Sequence, residues 1–395
     1  MTQTFQRDRF TWLAYLLLAF YSYFLNVLGP IAPFLKDELA LSYTISSLHF
    51  TAFAAGILAI GLGGHLIIQP LGRWRSLWIG AIGMSVSAVL LVIGQTPVIT
   101  IGAAFVMGLI GSLILAIVPA ALSEQHGEQR AIALSEANVI ASGVATIAPL
   151  LVGWFAQALG NWRWSLVLIA LTPVVMYVVL ARGIARSNSS TQADPPRVKQ
   201  PLPVLFWIYW VAIVLAVSVE FCMISWSADY LEKVLGLPKA DAAQAVSLFF
   251  AGMILGRWAG SRLVRRFSTP RLLVADIALA GIGFLLFWRS GSAVPGMIGL
   301  FLTGLGVASL YPLILSLAIG ASGNNPIQAS ARATLASGTA ILALPLILGR
   351  LADAVGIGPA YAVVIVLLLS VFAIIQAAGR MAAREEVGRL KSEKA

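Results

Sequence analysis

The sequence predicts an all-α membrane protein, with twelve spanning helices divided into two six-helix bundles that repeat one another. Three observations predict it. First, 59% of the 395 residues are hydrophobic and only 11% are charged, with a mean hydropathy of +0.91. A soluble domain carries about 25% charged residues, so lipid must be the solvent for most of this chain. Second, the apolar residues fall into runs long enough to cross a bilayer. Third, the two halves of the chain align at one constant offset.

A spanning helix needs roughly 20 apolar residues. Measured that way, the chain holds runs at Thr11–Phe34, Ile45–Ile68, Leu77–Ile93, Val98–Leu122, Ala131–Ala158 and Trp164–Leu180. After the polar stretch Arg182–Pro203 come Leu205–Trp226, Ala240–Val264, Leu272–Trp288, Pro295–Ala318, Gln328–Leu351 and Ile357–Gly379. The polar stretch, RGIARSNSSTQADPPRVKQPLP, has nothing to bury and reads as a solvated linker. The expected domains are therefore 1–183, a first six-helix bundle; 184–203, the linker; 204–380, a second bundle; and 381–395, a tail. The N-terminal MTQTFQRDRF has no short apolar core followed by small residues, so no removable signal peptide is expected. A single cysteine, Cys222, excludes an internal disulfide.

Basic residues set the direction of threading. Lys36, Arg163, Lys233, Lys239, Arg289 and Arg350 lie at one set of run ends, and the remaining twenty of the 26 Lys and Arg lie at the other, with the termini and the linker. Both termini are thus expected in the cytoplasm, the protein being multi-pass in the cytoplasmic (inner) membrane. The net charge of +10 is accounted for by these short basic loops, and no nucleic-acid partner is expected. Trp12, Trp78, Trp162, Trp164, Trp207, Trp226 and Trp288 lie near run ends, where an interfacial aromatic belt would be.

Sliding the chain by 196 residues places Pro149–Gly160 on Pro345–Gly356, with six of twelve positions identical. The same shift puts Phe53, Ala55 and Gly56 on Phe249, Ala251 and Gly252, and Gly108 and Leu109 on Gly304 and Leu305. Two parallel six-helix repeats imply a pseudo-twofold axis along the membrane normal, with cargo bound near the midplane between the repeats.

Twelve runs, a long central loop and several short motifs together make the chain resemble the major facilitator superfamily. After run 2 stand Gly64 and Gly72-Arg73-Trp74-Arg75, like the basic loop of that superfamily, with Gln69 where its acid would be. The resemblance implies a gating role for Arg73 and Arg75. The second half has the matching Gly256-Arg257-Trp258-Ala259-Gly260-Ser261-Arg262. Run 5 carries Ala148-Pro149-Leu150-Leu151-Val152-Gly153, where exporters of the superfamily have a Gly-Pro motif with two further glycines. Glu220, the Gly256–Ser261 run and Leu310-Tyr311-Pro312 also resemble the fucose-permease-like branch of sugar/proton symporters.

No nucleotide-binding Gly-rich Lys loop and no His or Cys cluster with metal-ligand spacing occurs, so the chain reads as neither an enzyme nor an ATP-driven pump, and no cofactor or metal is expected. Ionisable groups inside a bilayer are costly and mark functional positions. Glu220 lies about 22 Å into run 7, past the midplane. Runs 1, 4, 7 and 10 line the cavity in the superfamily, so the resemblance makes Glu220 a proton-coupling residue. Glu136, about one and a half turns into run 5, is a second such group. In the superfamily helix 5 meets helix 8, so the resemblance implies either a Glu136–Arg257 pair that latches the halves or pairing of each residue within its own half, with Arg332, a further gating candidate, at the offset position of Glu136. Substrate-binding candidates are Tyr23, Asn26, Ser112, Trp226 and Tyr311 on the lining runs, joined by Asn138 and His49. Asp229, at a run end, is expected to be solvated.

The reading that follows is a secondary transporter moving a small polar solute, a sugar or small organic acid, by alternating access with proton coupling. The expected partners are that solute, protons and membrane lipids, and the chain is expected to act as a monomer. The alternative is a proton-driven exporter of drugs or metabolites within the same superfamily.

Overall fold

The computed structural model describes residues 5–182, 201–323 and 326–392, without the side chains of 131, 326–328, 330, 331 and 383–392. The linker basics Arg186, Arg197 and Lys199 lie outside the described residues. Among the described residues there are helices and no strands. Twelve helices are long and apolar enough to cross a membrane. They are α1 (Arg9–Glu38), α2 (Tyr43–Gly63), α3 (Arg73–Ile93), α4 (Pro97–Gln129), α5 (Ile132–Ala158), α6 (Arg163–Ala181), α7 (Val204–Lys233), α8 (Lys239–Leu263), α9 (Thr269–Arg289), α10 (Ala293–Gly320), α11 (Arg332–Val355) and α12 (Ile357–Ala382). Each expected run lies on one of these helices, with ends shifted by a few residues.

The chain resolves into two compact units. Unit 1 is Met1–Pro195 with Ser225–Glu232 and Leu237–Ser247; unit 2 is Pro196–Ile224, Lys233–Gly236 and Leu248–Ala395.

In unit 1, α1 is apolar all round and buried on nearly every side, with Leu13, Tyr15, Leu17, Tyr23, Phe24 and Val27 inaccessible. Such a helix belongs in a bundle interior. It packs mainly on α5, while α4 packs on α2 and α3. Leu62, Val98 and Val139 remain open at the surface, as a lipid-facing exterior requires. Trp78, Trp162 and Trp226 are buried rather than interfacial, whereas Trp12, Trp164 and Trp207 are exposed. Of the tryptophans expected in the belt, the three buried ones fill core space near helix ends instead.

Close helix crossings rest on glycine, since no hydrophobic force draws helices together inside lipid. A Cβ on Gly108 would meet the Phe53 carbonyl, and one on Gly56 would meet Phe105 and Leu109 backbone, all well under 3.0 Å. In unit 2 a Cβ on Gly304 would meet the Phe249 carbonyl, and one on Gly252 the Phe301 and Leu305 backbone. Every one of these residues has its mate at the offset of 196, so the repeat read from sequence is a repeat of contacts.

The first turn of α1 is held by Asp8. Its carboxylate accepts from the Thr11 N–H (2.8 Å), the Thr11 hydroxyl (2.6 Å) and the Gln125 amide (2.6 Å) of α4. Partial burial pushes the Asp8 carboxyl upward, but the Thr11 and Gln125 hydrogen bonds outweigh it and hold the group below its ordinary value of 3.8. A depressed folded value stabilises above the unfolded one and is lost as pH falls through the folded one. Asp8→Ala should therefore cost about 0.5–2 kcal/mol near neutral pH. That difference should shrink in acid below the ordinary carboxylate range, which thermal unfolding of the two proteins across a pH series would show.

Candidate functional site

Unit 2 gathers three of the predicted residues. Glu220 projects from α7, and one of its oxygens lies 4.0 Å from the Arg257 guanidinium of α8. The Glu220 side chain is 18% exposed and that of Arg257 47%. This is an ion pair at the limit of contact, and Glu220 makes no hydrogen bond among the described residues. Because α7 continues to Lys233 rather than stopping at Trp226, Glu220 stands close to the middle of the helix, about 24 Å from one end and about 20 Å from the other.

Tyr311 of α10 belongs to the same unit. It stands just beyond a break in α10, which consists of Ala293–Val307 and Leu310–Gly320. Pro312 explains the break, having no N–H to donate to the Ala308 carbonyl one turn earlier. Helix α8 presses on this interruption: a Cβ on Gly256 would collide with Leu305 and Ala308, and one on Gly260 with the Ser309 hydroxyl. Arg257 is thereby carried on a helix face seated at the break. Interrupted helices of this kind are where transporters expose backbone polar groups to cargo.

In unit 1, Glu136 has partners within its own half. Arg7 donates to it through Nε (2.8 Å) and Nη2 (2.5 Å), and the Tyr15 hydroxyl donates at 3.2 Å. The carboxylate is thus occupied by Arg7 and Tyr15 of its own unit. The reason is local: the Asp8 cap fixes the start of α1 so that the neighbouring Arg7 reaches Glu136 with a two-pronged fork. Arg73 pairs with Glu124. Arg75 and Arg332 are exposed, and the Arg332 carbonyl accepts from the Trp210 indole at 2.8 Å.

The polar groups of most other candidates are engaged within the fold. The Tyr23 hydroxyl donates to the Ser165 carbonyl (3.1 Å), Asn26 to the Ser22 carbonyl (2.8 Å) and Ser112 to the Gly108 carbonyl (2.6 Å). Asn138 donates to the Leu134 carbonyl at 2.8 Å. Both ring nitrogens of His49 have partners, the Ser46 carbonyl (3.0 Å) and the Thr100 hydroxyl (2.9 Å).

A second charged cluster was not legible as such. Lys36, near the end of α1, pairs with Asp229 of α7, and both are buried. Asp229 is thus not solvated, as expected from its position, but sealed in protein. The Lys36 ammonium also lies over the Tyr43 ring, 3.8 Å from its centroid. Tyr43 and Phe50 in turn flank the inaccessible Trp226 at 5.5 and 6.1 Å. Lys239 of α8 pairs with Asp37 and lies 3.8 Å from Glu232. Asp276, half-buried in α9, was also missed; an acid inside the apolar run Leu272–Trp288 was the available signal.

The family profile described as Major Facilitator Superfamily matches residues 12–325. A TsgA homolog of Citrobacter koseri is 26% identical over 316 residues, 79% of each chain. Among solved structures, a bacterial homolog of the human lysosomal transporter Spinster, inward-facing and occupied, superposes with a TM-score of 0.78 at 14% identity, covering 95% of this chain and 98% of the other. The nucleoside transporter NupG superposes with a TM-score of 0.71 at 12% identity, covering 94% and 98%. Those two likenesses speak for the fold alone.

Proposed function

Since the chain belongs to the Major Facilitator Superfamily, and is thus a multi-pass membrane transporter rather than an enzyme, we propose that it moves a small polar solute, a sugar or small organic acid, by proton-coupled alternating access. The moving bodies are the sequence halves 1–183 and 204–380. Both termini face the cytoplasm, a placement supported by the bias of Lys and Arg toward their side of the membrane.

One observation carries the coupling: Glu220 stands midway along a spanning helix, largely shielded, with an ion pair of 4.0 Å and no hydrogen bond among the described residues. An ionised carboxylate so weakly compensated is the group in this chain best placed to alternate between charged and protonated forms. On the far side of the membrane the Lys36–Asp229 and Lys239–Asp37 pairs join the ends of α1, α7 and α8. In this reading they must part for those ends to open.

Glu220→Gln keeps the shape and removes the titration. In proteoliposomes with a trapped pH dye, tested against glucose, fucose, lactate and succinate, wild type should couple uptake of a taken-up solute to proton entry. The variant should lose uphill accumulation by at least tenfold. Full proton-driven accumulation by the variant would remove Glu220 from the mechanism.

A further inference from the structure

We propose that the turn joining α8 to α9 is a binding site for an anionic phospholipid. Its phosphate is held by Arg262, Arg265, Arg266 and Arg271, and its acyl chains lie against Trp258 and Phe267. The site is independent of what the transporter carries.

The sequence concentrates charge here. The four arginines fall within ten residues, and no acid occurs between Asp241 and Asp276. All four are exposed, and among the described residues none is in an ion pair. Like charges set together repel one another. An anion bound among them relieves that repulsion, and a phosphodiester matches the planar guanidinium fork.

The backbone gathers these charges on one surface. The helical turns of α8 run on past Leu263: the Val264 and Phe267 N–H groups still donate four residues back, to Gly260 (3.0 Å) and Leu263 (2.9 Å). Residues three and four apart are therefore neighbours. Trp258, Arg262 and Arg266 follow at intervals of four, and the Arg262 guanidinium lies over the Trp258 ring, 3.7 Å from its centroid. Arg265 is three residues beyond Arg262. Rings border this row of charge, Trp258 being 59% exposed and Phe267 50%. Guanidinium groups beside apolar rings at the end of a spanning helix suit a lipid, with its headgroup outward and its chains along the helix. A soluble phosphate would leave the rings without a partner.

Threading alone does not account for the cluster. Basic residues on this side orient a membrane chain. The matching turn of the first half meets that need with Arg73 and Arg75, and Arg73 is paired with Glu124. At the offset of 196, Leu66, Gln69 and Pro70 stand where Arg262, Arg265 and Arg266 are. The three additional arginines belong to the second half alone.

The test uses the full chain in detergent, with phosphatidylglycerol as the probe and phosphatidylcholine and glycerol phosphate as comparisons. By native mass spectrometry, phosphatidylglycerol should bind wild type about tenfold more tightly than phosphatidylcholine, an advantage that shrinks in high salt. Arg262→Gln, Arg265→Gln, Arg266→Gln and Arg271→Gln together should erase the preference. Arg9→Gln, Arg130→Gln, Arg182→Gln and Arg380→Gln together remove the same charge from exposed positions elsewhere and should leave it nearly unchanged. Lysine at the four cluster positions keeps the charge that threading uses and loses the fork, so its preference should be intermediate. In proteoliposomes, the part of the tryptophan fluorescence that Trp258→Phe removes should be quenched more by brominated phosphatidylglycerol than by brominated phosphatidylcholine.

Equal affinity for the two lipids, or equal loss in both glutamine sets, would overturn the proposal in favour of diffuse basic charge. Glycerol phosphate binding as tightly as the lipid would overturn it in favour of a plain anion site. Should the glutamine cluster variant fail to insert, the lysine set and the quenching decide: a lysine set indistinguishable from wild type, with no selective quenching through Trp258, would equally overturn it.

Discussion

Lys36→Met is expected to destabilise the protein by about 3–5 kcal/mol, because it strips a counter-charge from a buried carboxylate. Asp229 is inaccessible to solvent, and Lys36 is nearly so. Methionine keeps most of the length and volume of the lysine stem, so the loss is electrostatic rather than a cavity. The cation–aromatic contact with Tyr43 disappears with it, at about 0.5–2 kcal/mol. Adding Asp229→Leu should recover most of the loss, since an apolar pair of similar volume replaces a buried ion pair at little or no cost. Thermal unfolding of the two single variants and the double variant in detergent forms the cycle. A Lys36→Met protein as stable as wild type would mean that the pair carries no net stabilisation. Under the proposed alternation the single variant should also favour the state in which these ends have parted. A bias of about 5.5 kcal/mol spans the full range from 1:99 to 99:1, so most of that range is within its reach.

Gly108→Val and Gly304→Val should each be strongly destabilising, by about 3 kcal/mol or more, near or beyond the upper end of ordinary overpacking. At both positions the added carbon would strike a main-chain carbonyl, that of Phe53 in one unit and Phe249 in the other. A carbonyl fixed in a helix cannot turn aside as a side chain can, so the two helices must separate along their crossing. Gly102 and Gly281 are the controls, on α4 and α9, with nothing within 4 Å of the place a Cβ would take. The same substitution there should stay within about 1 kcal/mol. Fluorescence-detected size-exclusion after a heat challenge would rank the four variants. Equal tolerance at Gly108 and Gly102 would show that the crossing is looser than its backbone distances require.

Most of the fold is legible in advance because lipid imposes a simple length rule. A segment such as Val98–Leu122 has no alternative to spanning, and α4 covers that run. Glu220, Arg257 and Tyr311 stand out because each is a polar side chain set in an otherwise apolar run or short motif. What escapes a linear reading is pairing across long separations. Lys36 and Asp229 are 193 positions apart, and Arg7 and Glu136 are 129 apart. Nothing in a linear pattern tells a charge at a helix end that enters water from one that enters protein, and Asp229 is misjudged for that reason. The Arg7 that engages Glu136 sits in a stretch with no helical pattern, which gave no sign of the pairing.

The glycine seats recur in both halves, but the Glu220–Arg257 pair does not. At the offset of 196, Glu220 corresponds to Phe24 and Arg257 to Gly61. Duplication has therefore preserved the joinery and left the two copies with different trades. One repeat owns the Glu220–Arg257 ion pair, and its twin offers an aromatic ring and a bare backbone at the equivalent places. A molecule rebuilt from two copies of the first repeat would have no counterpart of the Glu220–Arg257 pair.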